Sequence, residues 1–295
     1  MAQLLAGFEP FEIDVDGIRI VGRKAGSGPP VLLLHGYPQT HVMWHEVAPA
    51  LAEYHTVVLT DLRGYGGSAK PPAGADHGEY SKRAMAADQV AVMTRLGFDS
   101  FAAVGHDRGA RVVHRMCLDH PAHINRAAVL DIVPTRHVFS TVDMAFGLAY
   151  EHWFFLAQTP GFPERLIGAD PEYYLRTKLA AWSAVDHPFA AAALEHYITH
   201  FREPAAIAAS CEDYRAATGI DLEHDEHSYS TGDRISCPLL VMWGSKGFVG
   251  RHYDPAAVWN SYATNIFTTA IPGSGHFLAE EAPVATTAAL AQFLQ

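Results

Sequence analysis

The sequence predicts an α/β fold, a mostly parallel eight-stranded sheet with helices on both faces and a helical cap. Three observations predict it. Short apolar, β-branched runs recur along the chain, several of them continuous, as expected for strands buried on both faces of a parallel sheet. Helix-like stretches alternate with these runs, which is the pattern of a layered α/β domain. One long segment, rich in aromatics, histidine and helix formers, interrupts that rhythm before it resumes.

Taken in order, PFEID with Val15 beyond it and IRIVG near 18–22 open the series. PVLLL at 30–34, TVVL at 56–59, FAAV at 101–104 and AAVLDIV at 127–133 follow, and PLLVMW at 238–243 and IFTTAI at 266–271 close it. Between them, 81–96 (SKRAMAADQVAVMTRL) and 109–119 read as helices, and the terminal APVATTAALAQFLQ as the last one. The interrupting segment contains YEHWFFLAQTPGFPERLIG, EYYLRTKLAAWSAV and FAAAALEHYITHF, and it reads as a helical insertion over one end of the sheet. The expected division is a core of 1–136 and 229–295 with a cap of 137–228. No internal repeat is present.

Composition narrows the class. With 295 residues, 49% hydrophobic and 18% charged, the chain can bury a sizeable core and has no mark of disorder. The start, MAQLLAGFEPFEIDVDG, lacks a basic stretch followed by about 7–15 apolar residues, so no secretory leader is expected. No segment approaches the roughly 18 apolar residues of a membrane span. A net charge of −11 disfavours nucleic acid and anionic membranes as partners, and an anionic substrate would need a local positive site. Three scattered cysteines, Cys117, Cys211 and Cys237, fit a reducing compartment and hence the cytoplasm. The 18 histidines are dispersed and form no HExxH, so neither a metal nor another cofactor is expected.

Gly105-His106-Asp107-Arg108-Gly109 lies between FAAV and the helical ARVVHRMCLD. This is the G-x-nucleophile-x-G spacing of a strand-to-helix elbow. The pentapeptide alone also fits a tight turn capped by aspartate. As an elbow, it thrusts Asp107 into a cleft beside a helix N-terminus that favours the ionised carboxylate. His35-Gly36-Tyr37-Pro38 follows PVLLL, where backbone N–H groups of Tyr37 and Arg108 can form an oxyanion hole. Gly273-Ser274-Gly275-His276-Phe277 follows the last strand, and His276 suits a general base in the order nucleophile, acid, base.

Together with DLRGYGGS at 61–68, these motifs resemble the α/β-hydrolase fold over nearly the whole chain. Many such hydrolases carry an aspartate after the strand that is PLLVMW here, but this chain reads Gly244-Ser245-Lys246-Gly247. Asp131, at the end of the preceding strand, is the favoured acid, with Asp254 as the alternative. Within that superfamily an aspartate nucleophile marks haloalkane dehalogenases, epoxide hydrolases and haloacetate dehalogenases. The resemblance implies an alkyl ester on Asp107, hydrolysed by water that His276 activates.

The neighbours of Asp107 bear on the electrophile. Arg108 and Arg111 fall on one side of a helix's first turn and can hold a carboxylate bidentately. The string GHDRGAR is similar to that of the fluoroacetate (haloacetate) dehalogenases. That likeness implies a small anionic haloacid as substrate, halide contacts from His152, Trp153 and Tyr214, Trp182 along the pocket, and a homodimer. Imidazole, indole and phenol are compact donors able to replace the water around a leaving fluoride. Epoxide hydrolysis is the rival reading, with Tyr150 and Tyr214 as candidate acids, but a neutral epoxide gives the two arginines nothing to bind. Spacing does not decide between fluoride and chloride.

Overall fold

The structure, a computed structural model, describes residues 4–295; residues 1–3 of the segment read for a leader lie outside them. Eight strands form one sheet: β1 (Glu9–Val15), β2 (Ile18–Ala25), β3 (Pro30–Leu34), β4 (Thr56–Thr60), β5 (Phe101–His106), β6 (Ile124–Leu130), β7 (Leu239–Gly244) and β8 (Ile266–Ile271). Their order is β1-β2-β4-β3-β5-β6-β7-β8. The β1–β2 and β2–β4 pairs are antiparallel, and the remaining pairs are parallel. This division matches the residues. β1 is half exposed and alternates, as an edge hairpin does, whereas every residue of β5 is buried.

The chain runs from β3 to β4 on one side, then returns to place β5 on the other side of β3. Such a switch in winding direction opens a crevice at the carboxyl ends of the two strands. Tyr37 lies just beyond β3 and Asp107 just beyond β5, so the topology brings them together. β6 starts earlier and ends earlier than the apolar run 127–133 suggested. Asp131 adopts φ +53°, which turns the chain out of the sheet directly after Leu130.

Helices Lys82–Arg95 and Arg108–Asp119 pack on each other, the second also against β5 and β6. The first is started by Ser81, whose side chain accepts the Ala84 N–H at 3.1 Å. Among the described residues, eight helices from Thr135–Ser140 to Ile220–Thr231 lie between β6 and β7. They share a continuous apolar core with the sheet, from Val104 and Val129 out to Phe146, Leu156 and Tyr214. A buried polar seam also joins them to it. Asp213, from the helix Pro204–Thr218, bonds both Lys82 and Arg108. Among the described residues no helix is long and apolar enough to cross a membrane.

Candidate active site

Asp107 sits at φ 45°, ψ −113°, a strained conformation at the start of the helix Arg108–Asp119. The flanking glycines are there because nothing larger fits. A Cβ at Gly105 would lie 2.4 Å from the Gly109 carbonyl oxygen, and one at Gly109 would lie 2.4 Å from that of His35. Asp107 makes no side-chain cap to its own helix, so the capped-turn reading of this pentapeptide does not describe it. Its Oδ2 instead accepts the Tyr37 N–H at 2.9 Å. The Arg108 N–H, the other expected oxyanion donor, is not hydrogen-bonded to that carboxylate among the described residues.

His276 stands on the loop between β8 and the short helix Leu278–Glu281. Its Nδ1 donates to Asp131 Oδ2 at 2.6 Å, and Asp131 Oδ1 accepts the Gly244 N–H at 3.1 Å. Asp254 is occupied elsewhere. It caps the helix Pro255–Trp259 by accepting the Ala257 N–H at 3.0 Å. His106 Nε2 donates to the His276 carbonyl at 2.8 Å, fixing the base from below.

Burial opposes the charge on His276, but the bond from Asp131, and then the Asp131 and Asp107 charges, outweigh it and hold the pKa above the ordinary histidine value. Burial likewise opposes ionisation of Asp107. His276, His106, Arg108 and Arg111 overcome it, and the nucleophile stays below the usual carboxylate range. Burial dominates at Asp131 and raises it. It also pushes His152 down to about 3, so that imidazole is neutral near pH 7.

One cavity is lined by Asp107, Arg111, Asp131, His152, Trp153, Trp182, Tyr150 and His276, with Val138, Phe146, Val249 and Tyr253 among its apolar and aromatic walls. Its free centre is on the scale of a single water molecule. Arg108, Tyr214 and Tyr37 stand behind this lining. They still pack onto it: the Tyr214 ring lies 5.4 Å from the His152 ring, and the Arg108 guanidinium 5.5 Å from the Trp153 ring. Trp182 lies 4.5 Å from the His152 ring and 5.8 Å from that of His276.

The two arginines are not the symmetric clamp that their spacing suggested. Arg108 is fully buried and spends most of its fork on Asp213, with Nε donating to Oδ2 at 3.0 Å and Nη2 to the Asp213 carbonyl at 2.9 Å. Its Nη1 is left without a partner. A buried guanidinium requires a counter-charge, and Asp213 supplies it. Arg111 donates Nη1 to the Val133 carbonyl and Thr135 Oγ1, each at 3.0 Å, while its Nε has no partner. It forms no ion pair among the described residues. Burial, and then the neighbouring Arg108 charge, lower its pKa to about 10, so it is still a cation.

Asp213 was missed in the sequence because it bonds Arg108 across 105 positions. The available signal was the arginine pair itself, since two cations placed in a core call for a buried carboxylate. Tyr253, Val138 and Val249 were missed as well, and no spacing in the sequence marks them as lining residues. Among the described residues no group of three or more His, Cys, Asp or Glu is placed to hold a metal ion.

Residues 29–283 match the family model of the alpha/beta hydrolase fold. The chain belongs to the α/β-hydrolase family. Within it, the chain is 46% identical over 292 residues to the fluoroacetate dehalogenase of Burkholderia sp, covering 99% of this chain and 95% of that one. It is 33% identical to a soluble epoxide hydrolase of Corynebacterium sp. (strain C12), covering 91% of each. A solved chain from Nostoc sp PCC 7120 superposes with a TM-score of 0.96 at 54% identity and 98% coverage of both.

Proposed function

We propose that the chain hydrolyses the carbon–halogen bond of haloacetates, converting fluoroacetate to glycolate and fluoride. The observation that carries this reading is a pair of residues with buried, unpartnered nitrogens in the cavity that Asp107 lines: Arg111 with Nε and His152 with Nδ1. Buried donors left without partners are costly, so their convergence on one place points to a ligand that completes them. A ligand with a carboxylate at one end and a leaving halide at the other does so. Arg111, a cation with no ion-pair partner, takes the carboxylate. Neutral His152 and Trp153 face the halide from the cavity lining, and Tyr214 backs them.

In the first step an Asp107 oxygen displaces halide from the substrate methylene and forms an ester; the carbon–halogen electron pair leaves with the halide. Oδ2 is held by Tyr37, which leaves Oδ1 to attack. Loss of the Asp107 charge removes one of the influences that hold His276 protonated, so esterification itself readies the base. Neutral His276 then takes a proton from water, and the hydroxide adds to the Asp107 carbonyl carbon. The Tyr37 N–H meets the oxyanion, collapse returns the proton to the departing glycolate oxygen, and His276 takes the second water proton from the Asp107 acid and passes it to solvent. The restored Asp107 carboxylate therefore keeps the oxygen from water.

The tight cavity favours a two-carbon acid over a bulky epoxide. A neutral epoxide would give the Arg111 cation, which lines the cavity, no counter-charge to meet. The likeness to haloacetate dehalogenases supports a homodimer with 137–228 as cap, and the sparse cysteines support a cytoplasmic setting.

The test is His276→Asn incubated with fluoroacetate and chloroacetate. Halide release limited to one equivalent is expected, with a stable mass increase located on Asp107. Turnover of a styrene-type epoxide by the unmodified enzyme, with no halide from either acid, would overturn the assignment.

A further inference from the structure

Glu281 ends the short helix Leu278–Glu281, outside the cavity, and the chemistry above gives it no part. Its carboxylate nevertheless accepts three backbone N–H groups. Oε2 takes those of Gly275 and Ala184, and Oε1 takes that of Phe277, each at 2.8 Å. Two of these donors flank His276 on either side. The third belongs to the segment that follows Trp182. The His276 N–H closes the same joint by donating to the Trp182 carbonyl at 3.0 Å. Glycine at 275 is what lets the segments approach so closely. A Cβ there would lie 2.6 Å from the Ala184 nitrogen and 2.7 Å from the Trp182 oxygen.

We propose that Glu281 is a positioning residue for the base, fixing the His276 loop from both sides and tying it to the Trp182 wall, so that the base is in register only when that wall is seated. This rests on His276 acting as the base. The charge on Glu281 also favours protonated His276, after the larger influences of Asp131 and Asp107. Charge-assisted bonds to backbone N–H groups are stronger than neutral ones, which suits a carboxylate for this joint. A glutamine has one acceptor oxygen and an amide that would face an N–H.

The experiment compares Glu281→Gln with the unmodified enzyme in two ways. Without substrate, the His276 ring is titrated by NMR. The other titratable groups facing that ring, Asp131, Asp107, His106, His152 and Tyr150, are the same in both proteins, and the midpoint is expected to fall in the variant. With chloroacetate, ester hydrolysis should slow about tenfold while alkylation does not. The ester then accumulates in steady state, and kcat and KM fall together with kcat/KM held. A general loosening of the fold would lower kcat/KM as far as kcat, with no ester build-up; that result, or an unmoved midpoint, overturns the proposal. Gly275→Ala keeps the carboxylate but wedges the two segments apart, and it should also accumulate ester. Kinetics like those of the unmodified enzyme would remove the link to the Trp182 wall. If the midpoint falls but no haloacetate leaves an ester on Asp107 in either protein, the haloacetate reading fails and the positioning of His276 stands.

Discussion

At the scale of single residues, the site separates functions that similar side chains could have shared. Asp107 and Asp131 are both buried carboxylates, yet four cationic or titratable neighbours hold the first ionised, while burial dominates the second. Arg108 and Arg111 also diverge. The first is matched by Asp213 and offers an oriented N–H; the second brings charge without a counter-ion. The base sets the pH response. His276 must be neutral to accept a proton from water, and its pKa lies above the ordinary value because of Asp131. Activity is therefore expected to fall as pH drops through the His276 midpoint, which in the ester form lies below that of the free enzyme because the Asp107 charge is gone. Asp131→Asn removes the bond and the charge that raise this midpoint and leaves burial, which lowers it. The acidic limb of kcat should move to lower pH while kcat falls by about 10⁴-fold, the cost of losing the orienting acid of a triad. A pH profile of kcat reads both effects. An unmoved limb would assign it to a group other than His276.

At the scale of elements, legibility followed locality. The elbow, the turn after β3 and the His276 loop each show in a few adjacent residues, because each needs particular residue types at fixed short spacing. Strand identities were legible because the centres of β3 to β7 are buried and read as short apolar runs. The end of β6 was not: Ile132 and Val133 are apolar and buried, so hydrophobicity carried the expected strand past the turn that Asp131 makes. Asp213 and Glu281 were invisible for another reason. Their partners lie up to 148 and 97 positions away, and no local pattern encodes such a contact. The elbow offers a test at this scale. Gly109→Ala puts a methyl group 2.4 Å from the His35 carbonyl oxygen, which is backbone and has little freedom to yield. The expected cost is about 1–3 kcal/mol of stability, as for overpacking elsewhere in a core, accompanied by displacement of Asp107 and loss of activity. Denaturant unfolding with a parallel rate measurement would show whether the two losses come together, and a fully stable variant would mean that the turn has more room than its contacts indicate.

At the scale of the whole molecule, the inserted helices and the sheet are joined by polar contacts as well as by the shared core, and one of these makes the joint sensitive to pH. Glu280, buried on the helix Leu278–Glu281, accepts the Tyr197 hydroxyl at 2.9 Å from the inserted helix Ala191–Phe201, and Gln39 Nε2 from the loop after β3. Burial raises its pKa to about 8, and these two donors only partly offset that. The ordinary value is 4.5, so between 4.5 and about 8 the folded chain holds a proton that the unfolded chain has released. Over that interval folding takes up a proton, and stability from this group must fall as pH rises. Above about 8 the penalty is complete and constant. Glu280→Gln keeps the size of the side chain and has no proton to lose. The difference in thermal midpoint between the glutamine variant and the unmodified chain should therefore grow in favour of the variant from pH 5 to pH 8, then level off. A difference independent of pH would show that Glu280 is already ionised at this joint, held by Tyr197 and Gln39 more strongly than burial opposes it.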